Sequence, residues 1–434
     1  MALGGGTFLT QNKVLPGSYI NFISAAKAAG TLSERGLAAM PLILDWGVEG
    51  SVFKVDAQQF GKSSLEIFGY ANGHEKLKGL RDLFKNIKAG YFYRLNGGQK
   101  AACVYADAKY SGIRGNDIKI VISKNVDNDS LYDVQTLVGT LKVDLQTVAA
   151  MEDLKANAFV DFKAAAEISV TSGTPLSGGT NGDAVTGTDY QLFLDKIEPF
   201  AFNALGCPSA SAEICSLFAQ FTRRMRDEAG VKFQTVLYRT EADFEGVINL
   251  QNEVAGDSNP AALVYWTTGA AAGCAVNKSN TNRIYDGEYE VKADYRQAEL
   301  EEAIKGGKFI LHRVGDSIRV LSDINSLTSF DEDKSSNFGS NQTIRVLDQI
   351  ANDIAVLFNT KYCGSMPNDP AGRISLWNDI VRQHQELEKI RAIENFNPED
   401  VVISKGEDKK AVVIQDAVTI TNAMEQLYML TIIQ

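Results

Sequence analysis

The sequence predicts a multidomain chain of mixed α/β and α+β class: an α/β core, a small β-rich insertion within it, and a separate α+β unit behind it. Three observations predict this. Strand-like and helix-like runs alternate from Phe200 to Leu321, short period-2 runs crowd Ala101 to Val170, and the last hundred residues hold two long helical stripes with two short β runs. At 434 residues the chain exceeds one ordinary core, so two or three domains are expected.

The opening residues look unlike a domain. Gly4-Gly5-Gly6 is flexible, Thr7 to Val14 is polar, and Pro16-Gly17 turns the chain before Tyr19-Ile20-Asn21-Phe22-Ile23. Such a segment buries too little surface to order itself, so it is either a disordered tail or an arm that orders against a partner. From Leu42-Ile43-Leu44 to Tyr91-Phe92-Tyr93, short strands surround one helix, expected over 74–87. Leu77, Leu80, Phe84 and Ile87 share one of its faces.

The insertion shows alternation at Ile118, Ile120 and Ile122, then at Val134, Leu137 and Val143, followed by Phe159-Val160-Asp161-Phe162 and Ile168-Ser169-Val170. It ends in Ser172-Gly173-Thr174-Pro175 and Ser177-Gly178-Gly179-Thr180-Asn181-Gly182, which reads as a linker. A βαβ rhythm follows. Strands are expected at Phe200 to Ala204, Phe233 to Tyr238, Val247 to Leu250 and Leu263 to Trp266. Between the first two, Ile214, Leu217, Phe218, Phe221 and Met225 make one helical face. Arg223, Arg224 and Arg226 near its end complement the helix dipole, and Gly230 stops it.

A helix over 297–304 ends at Gly306-Gly307, and Gly315-Asp316 turns a hairpin between Phe309-Ile310-Leu311 and Ile318 to Leu321. Residues 326–340 read as a boundary loop. Beyond it, Ile344, Leu347, Ile350, Ile354 and Leu357 mark one helix, and Ile374, Trp377, Ile380, Val381, Leu387 and Ile390 a second. The strands Val401-Val402-Ile403 and Val412-Val413-Ile414 flank a turn at Gly406 to Lys410.

Composition narrows the function. A net charge of −11 and a pI near 5.0 argue against a nucleic-acid surface, which needs clustered cations. The start lacks the cationic and apolar regions of a signal peptide, and no run approaches a bilayer span, so synthesis and residence in the cytoplasm without membrane insertion are expected. Five scattered cysteines (Cys103, Cys207, Cys215, Cys274, Cys363) read as buried thiols. His74, His312 and His384 have no metal-ligand spacing, and His384 is expected on a charged helix face. No GxSxG elbow is present, the Gly178 to Gly182 run lacks the Lys-Ser/Thr of a phosphate loop, and Asp331-Glu332-Asp333 lacks the spacing of a calcium loop. The expectation is a non-enzyme with no cofactor or metal.

The C-terminus is the most informative stretch. Leu427-Tyr428-Met429-Leu430-Thr431-Ile432-Ile433 is uncharged, proline-free and of high β propensity. Left exposed, such a segment templates aggregation, so it must be paired, within its own domain's sheet or by strand donation to another copy.

Several stretches resemble the tail sheath proteins of defective prophages and Gram-positive myophages. They begin with Leu3-Gly4-Gly5-Gly6-Thr7-Phe8 and Gln11-Asn12-Lys13-Val14-Leu15-Pro16-Gly17-Ser18-Tyr19-Ile20-Asn21-Phe22. Gly115-Asn116-Asp117-Ile118 and Leu176 to Gly182 resemble the bounds of that family's insertion. Ala270 to Gly273, Asn277 to Asn282, Tyr285-Asp286-Gly287 and Asp323 to Thr328 resemble its later stretches, and Gly406 to Lys410, Asp416-Ala417-Val418 and Asn422 to Met429 its C-terminus.

The resemblance implies a core of subtilisin-like topology, a β-sandwich insertion, and an α+β C-terminal domain with extended arms. It divides the chain into an N-terminal arm (1–22), core segments (23–95 and 183–330), the insertion (96–182), the C-terminal domain (331–420) and the C-terminal arm (421–434). It further implies a homo-oligomer of stacked rings around an inner tail tube protein, with baseplate and tail terminator proteins as partners. Contraction would drive the tube through a cell envelope. Phe8, Val14, Tyr19 and Ile20 of one arm, and Leu427, Tyr428, Met429, Leu430, Thr431, Ile432 and Ile433 of the other, would pair with Val401, Val402, Ile403, Val412, Val413 and Ile414 of neighbours. A helix bearing Trp377, Asp379, Arg382 and Glu386 would face the tube. The chain would assemble in the host cytoplasm and end in a virion tail or a released tail-like particle. Two alternatives stay open: a headless bacteriocin particle, and a hydrolase on the βαβ core.

Overall fold

The computed structural model describes residues 32–433. They form two units: Arg35–Cys274 with Asn280–Asn341, and residues 32–34, 275–279 and 342–433.

The first unit is built on a seven-stranded sheet. In spatial order its strands are Lys308–Phe309, Val247–Leu250, Gln234–Tyr238, Ala204–Cys207, Leu37–Leu42, Ala89–Arg94 and Phe53–Asp56. All neighbours run parallel except the last pair. The central strands are short and buried along their whole length because both faces are covered by helices. Side-chain alternation sends Ala38, Met40 and Leu42 into one core layer and Ala39 into the other. Over the second layer lies the helix Ala212–Asp227. Ser211 caps it by accepting from Ile214 N, and Cys215, Phe218, Phe221 and Met225 are buried at helical spacing.

Over the first layer lie the helices Ala57–Phe68, Lys78–Phe84 and Val264–Gly273. The first was not expected, although Asp56 and Gln59 form its capping box and Gly69 ends it at φ +77°. The third corrects the strand expected at Leu263 to Trp266. That run opens a helix buried on all sides, and a short apolar run does not distinguish the two. Its small residues permit close contact: a Cβ at Gly273 would lie 1.8 Å from the carbonyl oxygen of Asn86. Two further expectations shift. The strand placed at Phe200 to Ala204 is Ala204–Cys207, and the helix over 74–87 is a 3-10 turn, Glu75–Leu77, followed by Lys78–Phe84. The Gly315 hairpin joins Leu311–Val314 to Ser317–Val320, while Lys308–Phe309 belongs to the main sheet.

The insertion is a β-sandwich. One sheet holds Thr171–Pro175, Ile118–Lys124, Tyr132–Val138 and Leu141–Val148, and the other Lys100–Ala102, Ala106–Ser111 and Val160–Phe162, all antiparallel. Ala101, Ala106 and Ala108 of one sheet share an apolar cluster with Ile118, Ile120 and Ile122 of the other. Trp46, from the core, inserts into the same cluster.

The run read as a linker is neither long nor loose. Ser172 to Pro175 lies in a sheet strand, and Gly178 to Gly182 is bonded to the other chain crossing. Asn181 Nδ2 donates to Asp45 Oδ1 at 2.8 Å while its Oδ1 accepts from Ile113 N at 3.0 Å. Asn96 is buried, accepts from Leu44 N and donates to Leu44 O, both at 2.8 Å, and also donates to Asn181 O. A Cβ at Gly98 (φ +158°) would lie 1.9 Å from Thr180 O, so only glycine allows the two crossings to approach this closely.

The second unit rests on two helices, Asn341–Leu357 and Pro370–Lys389. Two small ladders complete it: Ile393–Glu394 with Thr419–Ile420, and Val402–Lys405 with Val412–Gln415.

Replacing Asn96 with alanine strands the N–H and C=O of Leu44 at the junction. Leaving two such groups unpaired costs about 2–6 kcal/mol. Chemical denaturation of the full chain reads this directly, and a loss below about 0.5 kcal/mol would contradict the role assigned to Asn96.

Candidate assembly site

Among the described residues no cluster of three or more His, Cys, Asp or Glu side chains could hold a metal ion. His74 accepts from Lys76 N at a helix start and stacks on Tyr70, and His312 lies in the Gly315 hairpin. None of the five cysteines is in a disulfide among the described residues; Cys103 is half-buried and Cys363 exposed, which corrects the reading of these two as buried thiols. Cys363 lies in the loop between the two long helices.

The C-terminal stretch from Leu357 onward presents a different geometry. Asp369 caps the helix Pro370–Lys389, accepting from Gly372 N at 2.7 Å. Its stripe Leu376, Ile380 and Val381 meets Leu357, Tyr362 and Val401 in an apolar cluster. The hairpin lies on that cluster. Trp377 Nε1 donates to Val401 O at 2.8 Å, and Ile403 and Ile414, cross-strand partners, pack inward. Val402 and Val413 point outward and are about half exposed. The ladder has two strands, so each strand has one edge without a sheet partner among the described residues.

Beyond the hairpin the chain is fastened at successive points. Asp416 Oδ2 meets His384 Nε2 at 2.7 Å, and Thr419–Ile420 pairs with Ile393–Glu394. Thr421 N donates to Ala392 O at 3.1 Å, and Gln342 holds both Thr421 O and Ala423 N at 3.0 Å. After Ala423 the side chains turn to solvent: Met424, Leu427, Tyr428, Met429, Leu430, Ile432 and Ile433 are each more than three-quarters exposed. Residues 424–433 belong to no strand among the described residues.

The expected site residues therefore divide. Leu427 to Ile433 form the free segment, and Val402, Ile403, Val412, Val413 and Ile414 form the hairpin, with Val401 buried just before it. Phe8, Val14, Tyr19 and Ile20 lie outside the described residues. Of the helix expected to face the tube, Arg382 is exposed, and Trp377 and Glu386 are half-buried. Asp379 is a correction. It is buried, accepts from Lys361 Nζ and the Tyr362 hydroxyl, both at 2.5 Å, and so is unavailable to a partner. Its carboxylate raises the Lys361 ammonium above the ordinary lysine range. His384 is a second correction: it is fully buried rather than on a charged face. The signal was present, since His384 falls four residues after Ile380 and three before Leu387, on the buried stripe. Gln342, which secures the arm's root from some 80 positions away, left no mark in the sequence.

Comparison with known proteins gives this geometry a context. Three models of one family lie in order along the chain: the phage tail sheath β-sandwich domain over residues 96–181, the central domain over 183–326 and the C-terminal domain over 333–434. The phage-like element PBSX protein XkdK of Bacillus subtilis is 32% identical across 98% of this chain and 99% of its own. The sheath tail protein of Desulfitobacterium hafniense superimposes with a TM-score of 0.82 at 36% identity, covering 94% of this chain and 98% of its own. That of Listeria innocua does so with a TM-score of 0.80 at 32% identity, over 92% and 95%. The hydrolase alternative is thereby set aside: the chain belongs to the phage tail sheath protein family and is a structural, non-enzymatic subunit of a contractile tail or tail-like particle.

Proposed function

We propose that copies of this chain stack as rings around an inner tail tube, linked through their ends, and that contraction of this mesh drives the tube through a cell envelope. The observation that carries the reading is the exposed segment 424–433, outside every described strand, beside a hairpin of two strands. Ordering ten residues costs about 10–20 kcal/mol of backbone entropy. Burying Leu427, Tyr428, Met429, Leu430, Ile432 and Ile433 returns roughly 9–18 kcal/mol. The near balance explains why the arm stands open on a single chain. Pairing wins where a sheet edge adds main-chain hydrogen bonds, and the two-stranded hairpin of a neighbour offers that edge. Fully extended, the segment reaches roughly 33 Å, enough to bridge to a neighbouring body.

The N-terminal residues Phe8, Val14, Tyr19 and Ile20 are proposed to join the same sheet. In this reading arm hydrogen bonds persist while the domain bodies rotate and exchange their contacts. The work comes from free energy stored at assembly, without a nucleotide. Trp377, Arg382 and Glu386 are proposed to line the tube, and baseplate and tail terminator proteins to close the two ends of the sheath.

Deleting Leu427 to Gln434 is expected to leave the body folded and abolish sheath formation, as negative-stain microscopy and circular dichroism of the purified protein would show. Striated cylinders at normal yield would refute the role of this arm. Replacing Gln342 with alanine frees the arm's root. Limited proteolysis at the C-terminal end is expected to cut beyond Ala423 in the parent and to extend back into residues 416–422 in the variant, and an unchanged cleavage map there would count against Gln342 as the anchor.

A further inference from the structure

Close to the hairpin turn the second unit has a groove of about 490 Å³. It lies between the loop after Leu357, the start of the helix Pro370–Lys389 and the turn at Lys409 and Lys410. Phe358, Tyr362, Leu376 and Val412 line it, and all four also belong to the apolar cluster under the hairpin. The groove is thus an unsealed end of that core. Asn368 fixes its shape, donating to Lys409 O at 3.0 Å and to Ala411 O at 2.8 Å. Its polar margin holds Arg373, Lys409 and Lys410, with no carboxylate among the lining residues.

We infer that this groove receives the C-terminal arm of a second copy, with Tyr428, Leu430 and Ile432 as the inserted face. The inference rests on the strand-exchange reading and adds its register. Two observations select this occupant. The groove borders Val412, the first residue of the hairpin's second strand, so an arm added along that strand runs past it. In an extended arm, period 2 puts Tyr428, Leu430 and Ile432 on one face, all large and apolar, whereas the other face includes Thr431. A tyrosine suits an apolar slot with a cationic, amide-bearing margin, because its ring is apolar and its hydroxyl is not. The chain's own arm is exposed throughout and leaves the groove unfilled.

Cys363 lines the groove and is exposed, whereas Cys207, Cys215 and Cys274 are buried and Cys103, half-buried, lies in the insertion, so Cys363 supplies a native crosslinking handle. Full-length chains carrying Leu430→Cys or Thr431→Cys are assembled, treated with a short bismaleimide and separated on denaturing gels. Leu430→Cys is expected to give a ladder of linked chains that Thr431→Cys does not, and Cys363→Ser should abolish it. Equal ladders from both, or none from either in cylinders of normal yield, would overturn the groove while leaving strand exchange intact. A link closed within single chains at dilution would make the occupant the chain's own arm and also overturn it. If a cysteine variant does not assemble, Tyr428→Ala is compared with Met429→Ala. The inference requires Tyr428→Ala to raise the concentration needed for assembly about tenfold over Met429→Ala, a difference of about 1.4 kcal/mol. Equal values would overturn it. Absence of cylinders from the parent chain would instead count against strand exchange itself.

Discussion

An extended backbone must find hydrogen-bond partners once it leaves water, and the C-terminal unit has two elements with backbone edges outside any sheet among the described residues. One is the arm beyond Ala423, which exposes six large apolar side chains between Leu427 and Ile433. The other is the ladder of Val402–Lys405 and Val412–Gln415, a two-stranded sheet with one packed face. Each is marginal alone, and the proposed linkage pairs the one with the other. The helix Pro370–Lys389 seats the hairpin through Trp377, and Gln342 and His384 hold the chain up to the point where the exposed segment departs.

The first unit is organised on an opposite principle. Its sheet is covered on both faces, and its insertion is joined by two chain crossings whose polar groups are paired with one another. Asn96 and Asn181 do at that junction what a long apolar interface does elsewhere: they fix one body on another, at the cost of demanding specific partners.

Much of this was legible from the residues, and the failures have a common cause. The helix Ala212–Asp227 was readable because stripe, cap and terminal cations are all local. The arm was readable because a long uncharged β-prone run at Leu427 to Ile433 is a local property as well. By contrast, Leu263 to Trp266 reads equally as strand or helix until the surrounding sheet decides. Gly178 to Gly182 looked loose because its partners, Asp45, Gln99 and Ile113, lie far away in sequence. Asp379 looked like a surface charge for the same reason, since Lys361 and Tyr362 come from the preceding turn of chain. Local patterns revealed elements and ends, while long-range polar pairing stayed hidden.

The claim that the hairpin of one copy takes the arm of another is tested most directly by amide hydrogen exchange on the same protein, dispersed and assembled. The account predicts that amides of residues 424–433, and those at the free hairpin edges within 402–405 and 412–415, exchange freely in the dispersed chain and become protected together in cylinders. Cylinders in which both segments still exchange at the dispersed rate would contradict it.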